Sequence, residues 1–138
     1  MQYDPTKVNA IVDGTVLTGF GEDTMISASR MEDKRNIHVG AQGEHTFMKN
    51  ANDAAEVTFT LAGNSPANAK LMELYKQDEP FDFAVVDGNF SADVGISGSE
   101  CVVQNTPDYE KGGELEERDW TLIVADYEEA FVGAEGVV

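Results

Sequence analysis

One cysteine, two histidines and nine basic residues are all that the 138 positions hold of those types, and each shortage excludes something. A lone cysteine, Cys101, leaves no internal disulfide and no thiolate zinc cluster. Between Glu100 and Val102 it reads as a small buried hydrophobe in a strand. His38 and His45 stand seven apart, without HExxH or paired-His spacing, and read as exposed loop residues rather than metal ligands. No apolar run reaches membrane-spanning length. The opening residues MQYDPTKVNA lack a basic-then-apolar pattern, so the expectation is a chain made and folded in a cytoplasm. Nine bases against 26 acids leave a net charge of −17, which repels nucleic acid within the screening length.

Catalytic signatures are missing as well. Gly19-Phe20-Gly21 opens no helix, so it is turn chemistry and not a phosphate loop. There is no GxSxG elbow and no Cys/His pairing. Asp108 and Glu110 near Gly112 do not match a calcium loop. The acids are so numerous that no spacing selects a carboxylate pair for glycoside hydrolysis. The expectation is a chain that is not an enzyme and holds neither cofactor nor metal.

What is present is a strand-rich single domain. The clearest stretch is 56–86. Val57, Phe59 and Leu61 alternate with Glu56, Thr58 and Thr60, a half-buried strand by period. Gly63-Asn64 breaks it. Ser65 then reads as a helix N-cap with Pro66 at the first helical position. Ala67, Leu71, Leu74 and Tyr75 lie close to one stripe, and the helix runs to about Lys76 or Gln77. Pro80 stops it. Phe81, Phe83 and Val85 resume period two, and Asp87-Gly88-Asn89 is a turn signal. Further strands are expected at 8–12, 15–20, 25–30, 90–97, 100–105 and 118–125. In the one at 90–97, Phe90, Ala92, Val94 and Ile96 face one way and Ser91, Asp93, Gly95 and Ser97 the other. About eight strands and one flanking helix make a mainly β fold, a sandwich or barrel.

Two segments stand apart. Residues 31–54 show no sustained period and form a long insertion, expected as a β-hairpin-like or Ω-like arm with a brief strand at Thr46-Phe47-Met48. Four of the nine bases, Arg30, Lys34, Arg35 and Lys49, sit on it or at its base. A basic arm on an acidic body suggests a self-complementary surface. Residues 126–138 are expected to be a partly ordered C-terminal arm.

Several motifs, taken in order, resemble one family. They are Tyr-Asp-Pro with Val8, VNAIVDG at 8–14, LTGF at 17–20 and Arg-Met-Glu-Asp at 30–33. They continue with HVGAQGE at 38–44, VTFTL and SPAN within 57–68, RDWTL at 118–122 and Phe-Val-Gly at 131–133. Together they are similar to the tail tube proteins of contractile-tailed bacteriophages. Residues 50–55 and 101–117 match loosely. The resemblance implies a β-sandwich subunit spanning 1–138, whose hexameric rings have a continuous β-barrel inside and stack helically into a tube. It also implies a virion tail assembled in the host cytoplasm. Double-stranded DNA would pass without specific binding. The partners implied are further copies, the tail sheath protein, the tape measure protein, and the baseplate and tail terminator proteins.

On that reading, acids facing the lumen repel phosphate, and the lumen candidates are Glu56, Thr58, Thr60, Ser91, Asp93 and Ser97. A competing assignment puts residues 56–60 on the outer surface. The candidates for contact between subunits or rings are Arg30, Asp33, Lys34, Arg35, His38 and Glu44. Self-repulsion predicts that polymerisation is faster in high salt. The alternatives are the tube of an R-type bacteriocin or another contractile injection system without DNA. From another class, an acidic glycoside hydrolase would form soluble monomers with measurable turnover.

Overall fold

The computed structural model describes residues 2–21, 24–89 and 94–130. After a 3-10 turn at Pro5–Lys7, the strands are β1 (Val8–Val12), β2 (Thr15–Val16), β3 (Ile26–Arg30), β4 (Arg35–Val39), β5 (His45–Lys49) and β6 (Ala55–Ala62). The one α-helix among the described residues, α1 (Ala67–Lys76), precedes β7 (Phe81–Asp87), β8 (Val94–Asn105), β9 (Glu117–Val124) and β10 (Glu128–Glu129). The chain is mainly β, as its strand pattern predicts. One large sheet runs β2-β1-β7-β8-β9-β6-β3 with β10 beside β8, and β4-β5 form a separate two-stranded sheet.

Alternation decides the core. Ala55, Val57, Phe59 and Leu61 of β6 are fully buried, as are Leu122 and Val124 of β9, with Trp120 all but buried. The β6–β9 register sets Phe59 opposite Trp120 and Val57 opposite Leu122, so bulky side chains meet across strands on one face. Phe81, Phe83 and Val85 of β7 and Ala10 and Val12 of β1 complete the same core.

The helix begins one residue later than the pattern predicts. Pro66 is already helical in φ and ψ, but regular bonding starts at Ala67. The Ser65 hydroxyl still caps, accepting from Ala67 N at 3.2 Å and donating to the Thr18 carbonyl. Gly19, at φ 75°, passes so close that a Cβ there would lie 2.7 Å from the Ser65 Cβ. Only glycine suits both conditions. Inside the helix, Asn68 accepts from the Trp120 indole N–H at 2.8 Å and donates to the Ala62 and Ser65 carbonyls. The buried indole donor is thereby satisfied.

Residues 94–105 correct the expected pair of strands at 90–97 and 100–105. They form a single twelve-residue strand with a bulge, where the register with β7 slips between Phe83↔Gly98 and Phe81↔Cys101. Asp126 holds the bulge. Its carboxylate accepts from Ser99 N (2.9 Å), Glu100 N (3.0 Å) and the Ser99 hydroxyl. A Cβ at Gly98 would lie 2.3 Å from Val124 Cγ1, so the bend fits only without one. Cys101 pairs with Phe81 on one side and Val124 on the other. One strand therefore belongs to both halves of the sheet. The extra residue flips the pleat, and Ile96 and Cys101 both pack against the core. The Cys101 thiol is buried, and that burial, with Asp126 and Asp82 nearby, pushes it up to about 12.

Two other elements differ from expectation. The strand expected at 15–20 is only Thr15–Val16, after which Phe20 forms an isolated bridge to Leu61. Within the expected tail, Glu128–Glu129 pairs with Ile96 and Ser97 as β10. Residues 131–138 lie outside the described residues.

Candidate assembly surfaces

The outward face of β3, β6, β9 and the second half of β8 is a largely polar wall, with Ile123 opposite Glu56 and Val102 opposite Ile123 as its apolar positions. Register sets Ser27 opposite Thr58 and Ser29 opposite Glu56. It also sets Thr58 opposite Thr121 and Thr60 opposite Asp119. The Thr58 and Thr121 hydroxyls lie 3.3 Å apart, and Thr60 donates to Asp119 at 2.7 Å. Glu56 and Asp119 bring negative charge, and Glu100 and Gln104 are exposed on the neighbouring strand. None of these residues is Lys or Arg. The face binds water and offers a phosphate no cation.

The edges of this four-stranded half are open. Thr60 N donates to Met25 O at 2.9 Å, and Met31 N donates to Ala54 O at 3.0 Å. Antiparallel strands alternate which groups face the partner. Residues 25, 27, 29 and 31 therefore turn their backbone toward β6, and Ile26, Ala28 and Arg30 turn theirs away from it. Among the described residues no strand pairs with that outer edge. On the far side, among the described residues, 102–105 of β8 pair with β9 only.

The second surface is the β4–β5 hairpin. All ten of its strand residues are exposed. Register divides them into two faces. Arg35 with Lys49, Ile37 with Phe47 and Val39 with His45 share one, and Asn36 with Met48 and His38 with Thr46 share the other. Ile37, Val39 and Phe47 are 57, 58 and 69% exposed, and the His45 ring meets Phe47 edge-on at 5.4 Å. An isolated two-stranded hairpin is marginal in water, and one with a bare apolar face is an association surface.

The hairpin is tied down at its base. The Arg30 guanidinium lies 5.1 Å over the Tyr127 ring and 4.0 Å from Asp53, and Lys34 lies 3.6 Å from the same carboxylate. Asn50 donates to Glu32 at 2.5 Å, and Asn50 N donates to Lys34 O. The Asn50 and Asn52 side chains hold the Glu32 carboxyl below its ordinary value. Burial and the Glu129 carboxylate raise the Tyr127 phenol. Arg30 and Lys34 thus have acidic neighbours within their own chain, whereas Arg35 faces Lys49 across the hairpin.

The other candidates read from the sequence fall as follows. Asp33 is exposed in the approach to β4, His38 faces Thr46, and Glu44 closes the hairpin turn with Gly40 N donating to its carbonyl at 2.7 Å. Glu56, Thr58 and Thr60 lie together on the polar wall. Ser97 lies elsewhere, opposite Ala84 and Glu128. Ser91 and Asp93 lie outside the described residues. Sequence reasoning missed Ser27, Ser29, Asp119 and Thr121 on the wall, because strand pairing alone brings them there. It also missed the apolar hairpin face, although Arg35, Ile37 and Val39 alternate with Asn36 and His38.

Known proteins resemble this chain at three levels. The family model described as bacteriophage PhiTE tail tube protein matches residues 2–84, more than half of the chain. Structural protein ORF10 of Pseudomonas phage KPP10 is 29% identical over 133 residues, covering 87% of this chain and 76% of that protein. The fold is shared with the tube-terminating cap of the anti-feeding prophage at TM-score 0.58 and 14% identity, over 94% of this chain and 93% of that one. It is shared with the sheath/tube terminator of the extracellular contractile injection system PVC at TM-score 0.62 and 11% identity, over 95% of this chain and 98% of that one. A chain of the PVC sheath–tube complex gives TM-score 0.57 at 10% identity, over 94% and 93%.

Proposed function

We propose an assembly for this chain from one premise: it belongs to the bacteriophage PhiTE tail tube protein family, and is a structural protein of a phage tail. Six copies close side by side into a ring, and rings stack into a hollow tube. The observation that carries this reading is the four-stranded half-sheet with two open edges and a largely polar, cation-free face. The outer edge of β3 on one copy pairs with residues 102–105 of the next, so that neither edge of this half-sheet is left exposed. Six times four strands give a barrel of 24. With strands about 4.8 Å apart and tilted about 45°, its backbone diameter is roughly 50 Å, with on the order of 40 Å free inside.

Glu56, Thr58, Thr60, Asp119 and Thr121 face the lumen in this arrangement, with Ser27 and Ser29. Ser97 stays on the other half of the sheet. Acids and hydroxyls without cations repel or merely hydrate a phosphate backbone, so double-stranded DNA slides and does not bind. The hairpin, with Arg35, His38 and Glu44, makes contact between copies. The sheath protein and the tail terminator are the outer and end partners, by analogy with the sheath–tube and terminator assemblies named for the solved structures. The tape measure protein occupies the lumen before DNA does, and assembly takes place in the host cytoplasm. A tube that conducts no DNA, as in a bacteriocin, has the same wall and differs only in cargo.

The test is electron microscopy of the purified chain over a range of concentrations and salt. Hollow six-fold rings or tubes with a lumen near 40 Å support the proposal. Uniform monomers at every concentration and salt, even when short preformed tails are added as nuclei, refute it.

A further inference from the structure

Tubes add rings head to tail, and that requires two different surfaces at opposite ends of the subunit. The structure holds such a pair. The β4–β5 hairpin leaves the sheet where β6 begins, at Ala55 opposite Val124, and the loop at residues 106–116 leaves it where β6 ends, at Ala62 opposite Glu117. The eight residues of β6 separate the two ends by about 26 Å at ~3.3 Å per residue. The hairpin presents Ile37, Val39 and Phe47 with Arg35 and Lys49 behind them. The loop presents Tyr109 and Leu115, 80 and 62% exposed, among the exposed acids Asp108, Glu110 and Glu114.

Each surface is apolar at its centre and charged around it, and the charges are opposite. Neither complements itself, since a hairpin facing a hairpin would oppose Arg35 and Lys49 to their own copies. The loop is also shaped in advance. Gly63 N donates to Glu116 O at 2.7 Å, and the Glu116 carboxylate receives Lys111 at 3.0 Å and Arg118 at 3.1 Å. Its own backbone N–H, Lys111 and Arg118 hold that carboxyl down at about 2. The Glu116 carboxylate is therefore charged at neutral pH, and Lys111 rests 5.5 Å from the Tyr109 ring.

We infer that the apolar face of the β4–β5 hairpin docks on the β8–β9 loop of a second copy in the neighbouring ring. This rests on the tube reading and adds to it the receiving surface. Such a contact is heterologous, and its rotation does not close, so copies add without limit along the axis. Arg35 and Lys49 meet Asp108, Glu110 and Glu114, while Ile37 and Phe47 cover Tyr109 and Leu115.

The experiment is a charge exchange read by sedimentation of assembled protein. Arg35→Glu with Lys49→Glu, and separately Asp108→Lys with Glu110→Lys, should each raise the critical concentration about tenfold or more. One chain carrying all four substitutions should return to within about threefold of the original. Circular dichroism checks that each variant folds, which is expected because every changed residue is exposed. As a second readout, Phe47→Cys and Leu115→Cys are placed together in a Cys101→Ala background, and assembled protein is treated with a short bismaleimide. A ladder of 47-to-115 links, mapped by peptide masses, is the expected result. Tubes that form normally from both charge variants, or that give only 47-to-47 links, overturn this inference and leave the tube reading intact. Failure of the unaltered chain to make any tube overturns both.

Discussion

Ala28→Pro on β3 separates the fold of the subunit from its assembly. The Ala28 N–H points away from β6, because Thr60 N and Met31 N fix the opposite set of backbone groups toward it. Proline therefore removes no hydrogen bond inside the subunit, and edge strands tolerate it. The outer edge of β3 offers three N–H and three C=O groups, from Ile26, Ala28 and Arg30. The four residues 102–105 of a neighbour can meet about four of them, worth roughly 4 kcal/mol net per junction at ~1 kcal/mol per bond. Losing the Ala28 bond costs about 1 kcal/mol, and the pyrrolidine ring pushes the incoming strand back and weakens its neighbours. A loss of ~1.4 kcal/mol per junction is tenfold in affinity, and a six-membered ring contains every junction six times over. We expect urea midpoints within experimental error of the original chain and no rings or tubes at concentrations that otherwise fill a grid. Ser27→Pro is the control. Its N–H faces Thr58, and it should destabilise the monomer itself by about 3 kcal/mol. Normal tubes from Ala28→Pro would refute strand addition at this edge.

Three further outcomes can be checked. Asn68→Ala leaves the buried Trp120 indole without an acceptor and should lower unfolding stability by about 1–3 kcal/mol in a urea titration. Asp126 is held below the ordinary carboxylate range first by the Ser99 hydroxyl, and also by the backbone N–H groups of Glu100 and Ser99. Such a group stabilises fully above its unfolded pKa near 3.9, and that contribution disappears as pH falls through the lower folded value. Urea midpoints should therefore drop as pH falls through and below the unfolded value of about 3.9, and Asp126→Asn should be less stable at pH 7 with a flatter profile. Light scattering should show faster polymerisation at about 0.5 M salt than at about 0.05 M, since screening shortens the reach of the −17 charge on each copy. Slower polymerisation in high salt would count against self-repulsion as the controlling term.

The helix and the strand before it were legible because local rules agree there. Alternation from Glu56 to Leu61, the Ser65 hydroxyl, Pro66 and Pro80 all point one way. The bend in β8 was not legible. Gly98 and Ser99 read locally as a turn between two strands, and the group that keeps the chain extended, Asp126, lies 26 residues away from Glu100. β10 is two consecutive glutamates with no strand preference, and only the exposed edge of β8 makes them one. The hairpin was expected as an arm with a β-hairpin among its forms, and its alternation can be read at Arg35 to Val39. The polar wall is a different matter. Period two says that Glu56, Thr58 and Thr60 share a face, but whether Ser97 joins them depends on which strands are neighbours. That is a tertiary fact that no window of residues contains.

Because β8 runs through both halves of the sheet, the half that carries the polar wall and the half that carries β1, β7 and β10 share one continuous backbone. Moving one half relative to the other would have to bend or unpair that strand near Cys101, not merely shift side-chain packing. The subunit is then stiff to shear. A tube made of such units has its compliance concentrated at the junctions between copies, in the strand edges and the hairpin contacts. Its persistence length should respond to substitutions there and hardly at all to substitutions in the core.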